Sequence, residues 1–225
     1  MLERAKSRRV VFLDVDTQVD FMLPSGRLYV PHAEEIIPNL EELMSWAHAR
    51  KVPVVSTADA HAPDDPEFAQ WPPHCVVGTP GQRRIPETLF PDAVVVENRP
   101  NAFHLPRGWV GQIIVEKPVY DFTANVNIDA ILASLDQPRF VVFGVATEYC
   151  VLSDVLALRK RNLPIAVVVD AIKAISEEGG RKALEEMAAA GAEFVTTGEV
   201  CRTPKGETAD YELQELSRKE FETRG

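Results

Sequence analysis

RFVVFGVATEYCVLSDVLALRK, residues 139–160, changes its period half-way. Arg139–Gly144 is a Val- and Phe-rich run without polar alternation, the pattern of a strand buried on both faces. From Glu148 to Arg161 the apolar residues Val151, Leu152, Val155, Leu156 and Leu158 recur at helical spacing. A buried strand running straight into an amphipathic helix is half of a β–α–β unit, and the same unit repeats in both directions from here. Further strand patterns lie at Val10–Val15, Pro53–Thr57, Ala93–Val96, Gln112–Val115, Ile165–Val169 and Ala192–Val195, and further helical patterns at Glu34–Arg50, Val126–Leu135 and Glu177–Ala190. This alternation predicts an α/β fold: a single domain over residues 1–225, with a doubly wound, mostly parallel six-stranded sheet and helices on both faces.

The chain has 225 residues, 45% of them hydrophobic and 26% charged, enough apolar side chains for a sizeable core and too many for disorder. The longest nearly unbroken apolar run, Phe140–Ala146, is far too short to cross a bilayer. The basic start MLERAKSRR leads directly into VVFLDV and lacks the apolar centre of a secretory signal, so a cytoplasmic location is expected. A net charge of −10 without a cluster of cations argues against nucleic acid and anionic membranes as partners. Three cysteines without a CxxC pair, Cys75, Cys150 and Cys201, fit a reducing compartment rather than a disulfide framework. No GxGxxG, Walker loop or GxSxG elbow is present, which removes the anchor for dinucleotide, nucleotide and serine-hydrolase readings.

Residues 59–111 interrupt the rhythm and hold nine of the 17 prolines, and a loop region this long inside a compact domain points to function. The polar tail, about 202–225, ends in a frayed helix on this reading. Ligands of open α/β sheets sit beyond the carboxyl ends of the strands, so the residues just after each strand carry the most information. The first strand runs into Asp14-Val-Asp16, with both carboxylates on one side by alternation and Asp16 nearer the strand end, where it can serve as a general base; Asp20 fits a cap. The second runs into Asp59-Ala-His61, followed by Trp71-Pro-Pro-His74-Cys75. Carboxylate and imidazole together suit a divalent metal in an open site, with Asp65 and Glu67 as further donors; spacing alone leaves this evenly matched with a turn cap and ordinary histidines. Lys117 after Gln112–Val115 is by itself an exposed loop cation, or else a charge that holds Asp16 ionised. Thr147 is placed as an N-cap, which puts Cys150 in a first helical turn whose free N–H groups favour a thiolate and an oxyanion. With Asp16 and Lys117 at neighbouring strand ends, Cys150 reads as a nucleophile.

VDTQVDF (15–21), TADAH (57–61), WPPHCVVGTPG (71–81), Lys117 and GVATEYCV (144–151) together resemble the isochorismatase-like cysteine hydrolases, and among them the nicotinamidases, over about Val10 to Thr196. The resemblance implies a catalytic triad of Cys150, Asp16 and Lys117. It implies one divalent ion, zinc first with iron or manganese as alternatives, on Asp59, His61 and His74, with Glu67 as an extra donor. It further implies an oxyanion hole on Ala146 and Cys150 beside a cis Val145–Ala146 peptide, and substrate contacts from Phe21, Trp71, Val145 and Tyr149. The implied activity is hydrolysis of nicotinamide to nicotinate and ammonia in NAD salvage. The segment PVYDFTANVN (118–127) borders the same pocket and leaves another small amide open as substrate. A non-catalytic binding protein on the same fold is the rival of a different class. Exposed apolar residues on the helices are expected to support a homo-oligomer.

Overall fold

A computed structural model describes residues 9–100 and 103–202; the tail beyond Arg202 and most of the basic start lie outside the described residues. Seven strands form one sheet: β1 (Val10–Val15), β2 (Val54–Asp59), β3 (Val94–Val96), β4 (Gln112–Lys117), β5 (Arg139–Val145), β6 (Ile165–Lys173) and β7 (Glu193–Val195). Their order is β3-β4-β2-β1-β5-β6-β7, and every pairing is parallel. The sheet therefore has seven strands rather than the expected six, because the two edge runs of three residues, β3 and β7, both pair. The chain leaves β1 toward β2 on one side and the fold later adds β5 on the other, so the order reverses at β1. A crevice at the carboxyl ends of β1, β2 and β5 follows from that reversal.

The helices are α1 (Val19–Met22), α2 (Ile37–Arg50), α3 (Ile128–Ser134), α4 (Leu152–Lys160), α5 (Glu177–Ala189) and α6 (Thr197–Cys201). Strand alternation divides the core between the two faces. Val11, Leu13 and Val15 pack in one cluster with Ile128 and Ile131 of α3, Val155 and Leu158 of α4 and Met187 of α5. Phe12 points the other way, into a cluster with Leu40, Leu43 and Met44 of α2 and Val200 of α6. Those three α2 side chains are at most 2% exposed, and burying each contributes about 1.5–3 kcal/mol. Among the described residues no helix is long and apolar enough to cross a membrane. The large exposed apolar residues, Val94, Val95 and Val126 among them, lie on strands and loops rather than on the helices where the sequence reading put them.

Two backbone features shape the crevice. Gly144 has φ 117°, and a Cβ there would meet the Val15 carbonyl oxygen at 2.0 Å, so only glycine lets β5 lie this close to the end of β1. Asp16, just past β1, is left-handed with φ 48°, which ends the strand alternation. Asp14 and Asp16 consequently part company, contrary to the same-side reading. Asp14 is fully buried in a polar network beneath the crevice, ion-paired to Arg84, accepting from Thr17 Oγ1 at 3.0 Å and from Ser56 Oγ at 3.0 Å. Arg84 also donates to the Thr57 carbonyl at 2.7 Å, clamping the loop region onto β2.

Removing one partner of a buried ion pair strands the other charge. Arg84→Met should therefore cost about 3–5 kcal/mol in urea unfolding, whereas Asp14→Leu/Arg84→Met together should recover most of that loss. A double variant no more stable than the single one would contradict the pairing.

Candidate active site

Lys117 is the last residue of β4 and is fully buried, not the exposed loop cation its isolated sequence position implied. Its Nζ sits 2.8 Å from Asp16 Oδ2 and 3.4 Å from Cys150 Sγ, and is ion-paired to Asp59 Oδ1. Burial pulls its pKa down, but the carboxylates of Asp16 and Asp59 push it well above the ordinary lysine value, so the ammonium is charged. Asp59, at the end of β2, is opposed by burial yet held well below the usual carboxylate range by Lys117 and the neighbouring imidazoles. Burial pushes the Asp16 carboxyl up despite Lys117. Thr57 Oγ1 donates to Asp16 Oδ1 at 2.6 Å, while Oδ2 has its ion pair but no directed hydrogen bond. An oxygen so placed has a lone pair to offer a proton.

Cys150 lies in a π-helical turn, Thr147–Val151, which continues into α4. Thr147 is inside that turn and buried, and Ala146 takes the cap position, so the N-cap reading of Thr147 is corrected. The Val151 amide donates to the Ala146 carbonyl five residues back at 3.2 Å, the spacing of the wider turn, and Tyr149 N shares the same oxygen at 3.1 Å. The Val145–Ala146 peptide is cis. The expected thiolate preference of a helix start is outweighed: burial pushes the Cys150 thiol well up, with Lys117 opposing and the carboxylates of Asp16 and Asp59 adding to the rise. At rest the sulfur is a thiol, and a neighbouring base is needed to ionise it. Asp16, Asp59 and Cys150 keep their nearest ligand atoms within 4.8 Å of one another, but the Lys117 ammonium already fills the cation's place among them.

Asp59 joins a second group with His61 and His74, all buried. Asp59 Oδ2 stands 3.6 Å from His61 Nε2 and 3.7 Å from His74 Nε2. Ligand atoms around a tetrahedral ion with bonds near 2.1 Å lie about 3.4 Å apart, so the spacing fits a divalent metal. The far nitrogens fix the rings: His61 Nδ1–H donates to Asp65 Oδ2 at 3.1 Å and His74 Nδ1–H to the Pro72 carbonyl at 2.9 Å, which turns both Nε2 atoms toward Asp59. His61 Nε2 is buried without a hydrogen bond. Asp65 is thus the holder of His61 rather than a donor on the ion's side, and its Oδ1 caps the turn that begins at Pro66 by accepting from Glu67 N. Glu67 lines the pocket, its carboxyl raised by burial.

Asp59, His74 and Cys150 open into a pocket with mostly apolar walls. Trp71, Tyr120 and Tyr149 make one wall, with Trp71 edge-on to Tyr149 at 5.4 Å and its Nε1–H donating to the Tyr120 hydroxyl at 2.8 Å. Phe21 faces in from α1 against His74, and Val145, Ala146 and Cys150 also line the space. All the substrate-contact residues expected from the sequence line this pocket. Tyr120 and Ile175 line it too and were not singled out, although Tyr120 lies three residues past Lys117 in the segment expected to border the pocket. Asp20 is no helix cap; its oxygens accept from Arg27 N at 3.0 Å and Cys75 N at 2.7 Å, pinning the metal-side loop to α1.

The isochorismatase domain model matches residues 10–199. The chain belongs to the isochorismatase family. It is similar to the nicotinamidase/pyrazinamidase of Mycobacterium tuberculosis (strain ATCC 25618 / H37Rv), 30% identical over 194 residues, covering 80% of this chain and 95% of that one. The nicotinamidase of Escherichia coli (strain K12) is 28% identical over 199 residues, covering 81% and 92%. Among solved structures, the pyrazinamidase of Pyrococcus horikoshii in complex with zinc superposes with a TM-score of 0.68 at 29% identity, covering 84% of this chain and 99% of that one.

Within this member of the isochorismatase family, a metal ion on the Asp59, His61 and His74 group would compete with a proton at His61. Burial pulls its pKa down, but Asp59 and Asp65 push it up to about 9, so at pH 7 the imidazole of the metal-free protein carries a proton that an incoming ion must expel. Affinity for zinc should therefore rise with pH until about 9, with close to one proton released per ion, measured by titration calorimetry in buffers of different ionisation enthalpy. Asp65→Asn should weaken binding about 10–100-fold by loosening the ring.

Proposed function

We propose that the chain is a metal-dependent cysteine amidohydrolase that converts nicotinamide to nicotinate and ammonia through a thioester on Cys150. The observation that carries this reading is the Lys117 ammonium held among Asp16, Asp59 and Cys150, beneath an aromatic pocket that Asp59 and Cys150 line. Asp16 Oδ2 takes the thiol proton, and Lys117 stabilises the resulting thiolate. The sulfur attacks the amide carbonyl, and the backbone N–H groups of Ala146 and Cys150 receive the oxyanion. When the C–N bond breaks, the proton on Asp16 passes to the departing ammonia. Water then attacks the thioester; Asp16 takes its proton and returns it to the sulfur as the acid leaves.

Asp59, His61 and His74 would hold the divalent ion, with Glu67 as the nearest further carboxylate, and two imidazoles with a carboxylate suit zinc ahead of iron or manganese. When bound, such an ion supplies a Lewis acid beside the reacting carbonyl. The flat substrate ring sits between Phe21 and the Trp71–Tyr149 wall. Unpaired cysteines fit a reducing, cytoplasmic setting, where the reaction would serve NAD salvage.

Ammonia release from nicotinamide tests the reading. Wild type should turn over, Cys150→Ala should lose about 10³-fold or more in kcat, and chelation should abolish activity that zinc restores. No turnover by the zinc-replete protein would overturn nicotinamide as substrate, and a panel of other small amides would then separate a changed substrate from a binding protein without catalysis.

A further inference from the structure

Asp154 is a buried carboxyl group that the proposed reaction does not use. It sits on α4 one turn after Cys150 and is 0% exposed. Its Oδ1 accepts the backbone N–H of Phe122 at 2.8 Å, whereas Oδ2 is buried with no hydrogen-bond partner among the described residues. Phe122 opens a short turn, Phe122–Ala124, two residues after Tyr120 and five after Lys117. The far end of that turn is tied down separately, since Asn125 Nδ2 donates to the carbonyls of Val96 and Glu116. Asp154 is thus the side-chain anchor joining the Tyr120 wall to the helical segment that carries Cys150.

The surroundings decide its charge. Lys117 faces it from β4, Asp16 from the end of β1, Cys150 from the preceding turn and Asp121 from the anchored segment. The one cation already serves Asp16 and Asp59. A third carboxylate there would be a buried anion with one hydrogen bond and no counter-ion of its own. Burial, opposed by Lys117 and reinforced by Asp16, pushes the carboxyl well above its ordinary value.

We propose that Asp154 is a positioning residue that works as a neutral acid, hanging the Tyr120 wall from the Cys150 segment without adding an anion beside Lys117. The inference rests on the reading of Cys150 as nucleophile, because an anion at 154 would oppose the thiolate that the reaction needs. As a neutral group it accepts from Phe122 through its carbonyl oxygen and leaves the local charge to Lys117, Asp16 and Asp59.

Asp154→Asn and Asp154→Ala test it alongside wild type, with two readouts that need no substrate. Hydrogen exchange of the peptide spanning Phe122 should quicken about tenfold or more in Asp154→Ala and stay near wild type in Asp154→Asn, which keeps the acceptor. The pH midpoint for alkylation of Cys150 by iodoacetamide, read on its own peptide by mass spectrometry, should stay within about 0.3 unit of wild type in both variants, since neither removes a charge. Unchanged exchange in Asp154→Ala would overturn the anchor. A midpoint lower by about one unit in both variants would show that a carboxylate had been removed and would overturn the neutral acid. Failure to hydrolyse nicotinamide would appear only in the ammonia assay and would leave both readouts interpretable.

Discussion

One buried ammonium sets the terms for everything at the strand ends. Lys117 shares its charge between Asp16 and Asp59 and touches the Cys150 sulfur, with no exposed surface of its own. At an effective dielectric of about 20 a contact of this length is worth about 6 kcal/mol, comparable to the several kcal/mol that desolvating each ion costs. The three charges are therefore mutually dependent: without the ammonium, two carboxylates would face each other in a dry site. The arrangement also divides labour between two acids of the same type. Asp59 is held anionic and faces two imidazoles, as a metal ligand must be, whereas Asp16 is pushed up by burial toward the range where a carboxylate accepts a proton.

The parallel sheet brings these groups together because it delivers every strand's carboxyl end to the same edge. Fine adjustment then falls to contacts between neighbouring ends. Gln18 behaves as an extra rung between β1 and β2: its Oε1 accepts from Asp59 N at 2.8 Å and its Nε2 donates to the Asp59 carbonyl at 2.9 Å. Thr57 does the same for Asp16, accepting from its backbone N–H and donating to its carboxylate. One side chain just past β1 and one on β2 thereby fix the two acids, Asp59 and Asp16. The left-handed turn at Asp16 and the close approach at Gly144 remove the slack between β1 and β5, the strands that lead into Asp16 and Cys150.

Much of this was legible in the sequence, and the failures share a cause. Unalternated Val and Ile runs gave away the parallel sheet, and the strand-end rule pointed to Asp16, Asp59, Lys117 and Cys150 because their neighbours are unmistakably buried strands. The count of strands slipped although both edge runs, Ala93–Val96 and Ala192–Val195, read as strands, because runs so short do not show whether each will pair with the sheet. Lys117 looked exposed because Glu116 beside it appeared to end the strand at Val115, when the strand in fact runs on to Lys117. Arg84 and Asp14 were invisible as partners, since nothing in a sequence links charges 70 residues apart. Asp154 was readable in principle: with Val151, Val155 and Leu158 it falls on the apolar stripe of its helix, and a carboxyl group on such a stripe is buried whether or not a partner is evident.

On the proposed chemistry, the pocket's discrimination follows from where its polarity is placed. The walls are aromatic and aliphatic, and the polar groups are confined to the floor around Asp59, Glu67, His74 and Cys150. A charged or strongly hydrated substrate would lose its water against Phe21, Trp71 and Tyr149 without gaining hydrogen bonds in return. A flat, uncharged ring loses little there and gains contact on both faces, which orients its amide toward the floor. Tyr120 stiffens that wall, because its hydroxyl accepts from the Trp71 indole and holds the two rings together. Selection by shape and dryness thus resides in the walls, chemistry resides in the strand ends, and the short segment from Lys117 to Phe122 belongs to both.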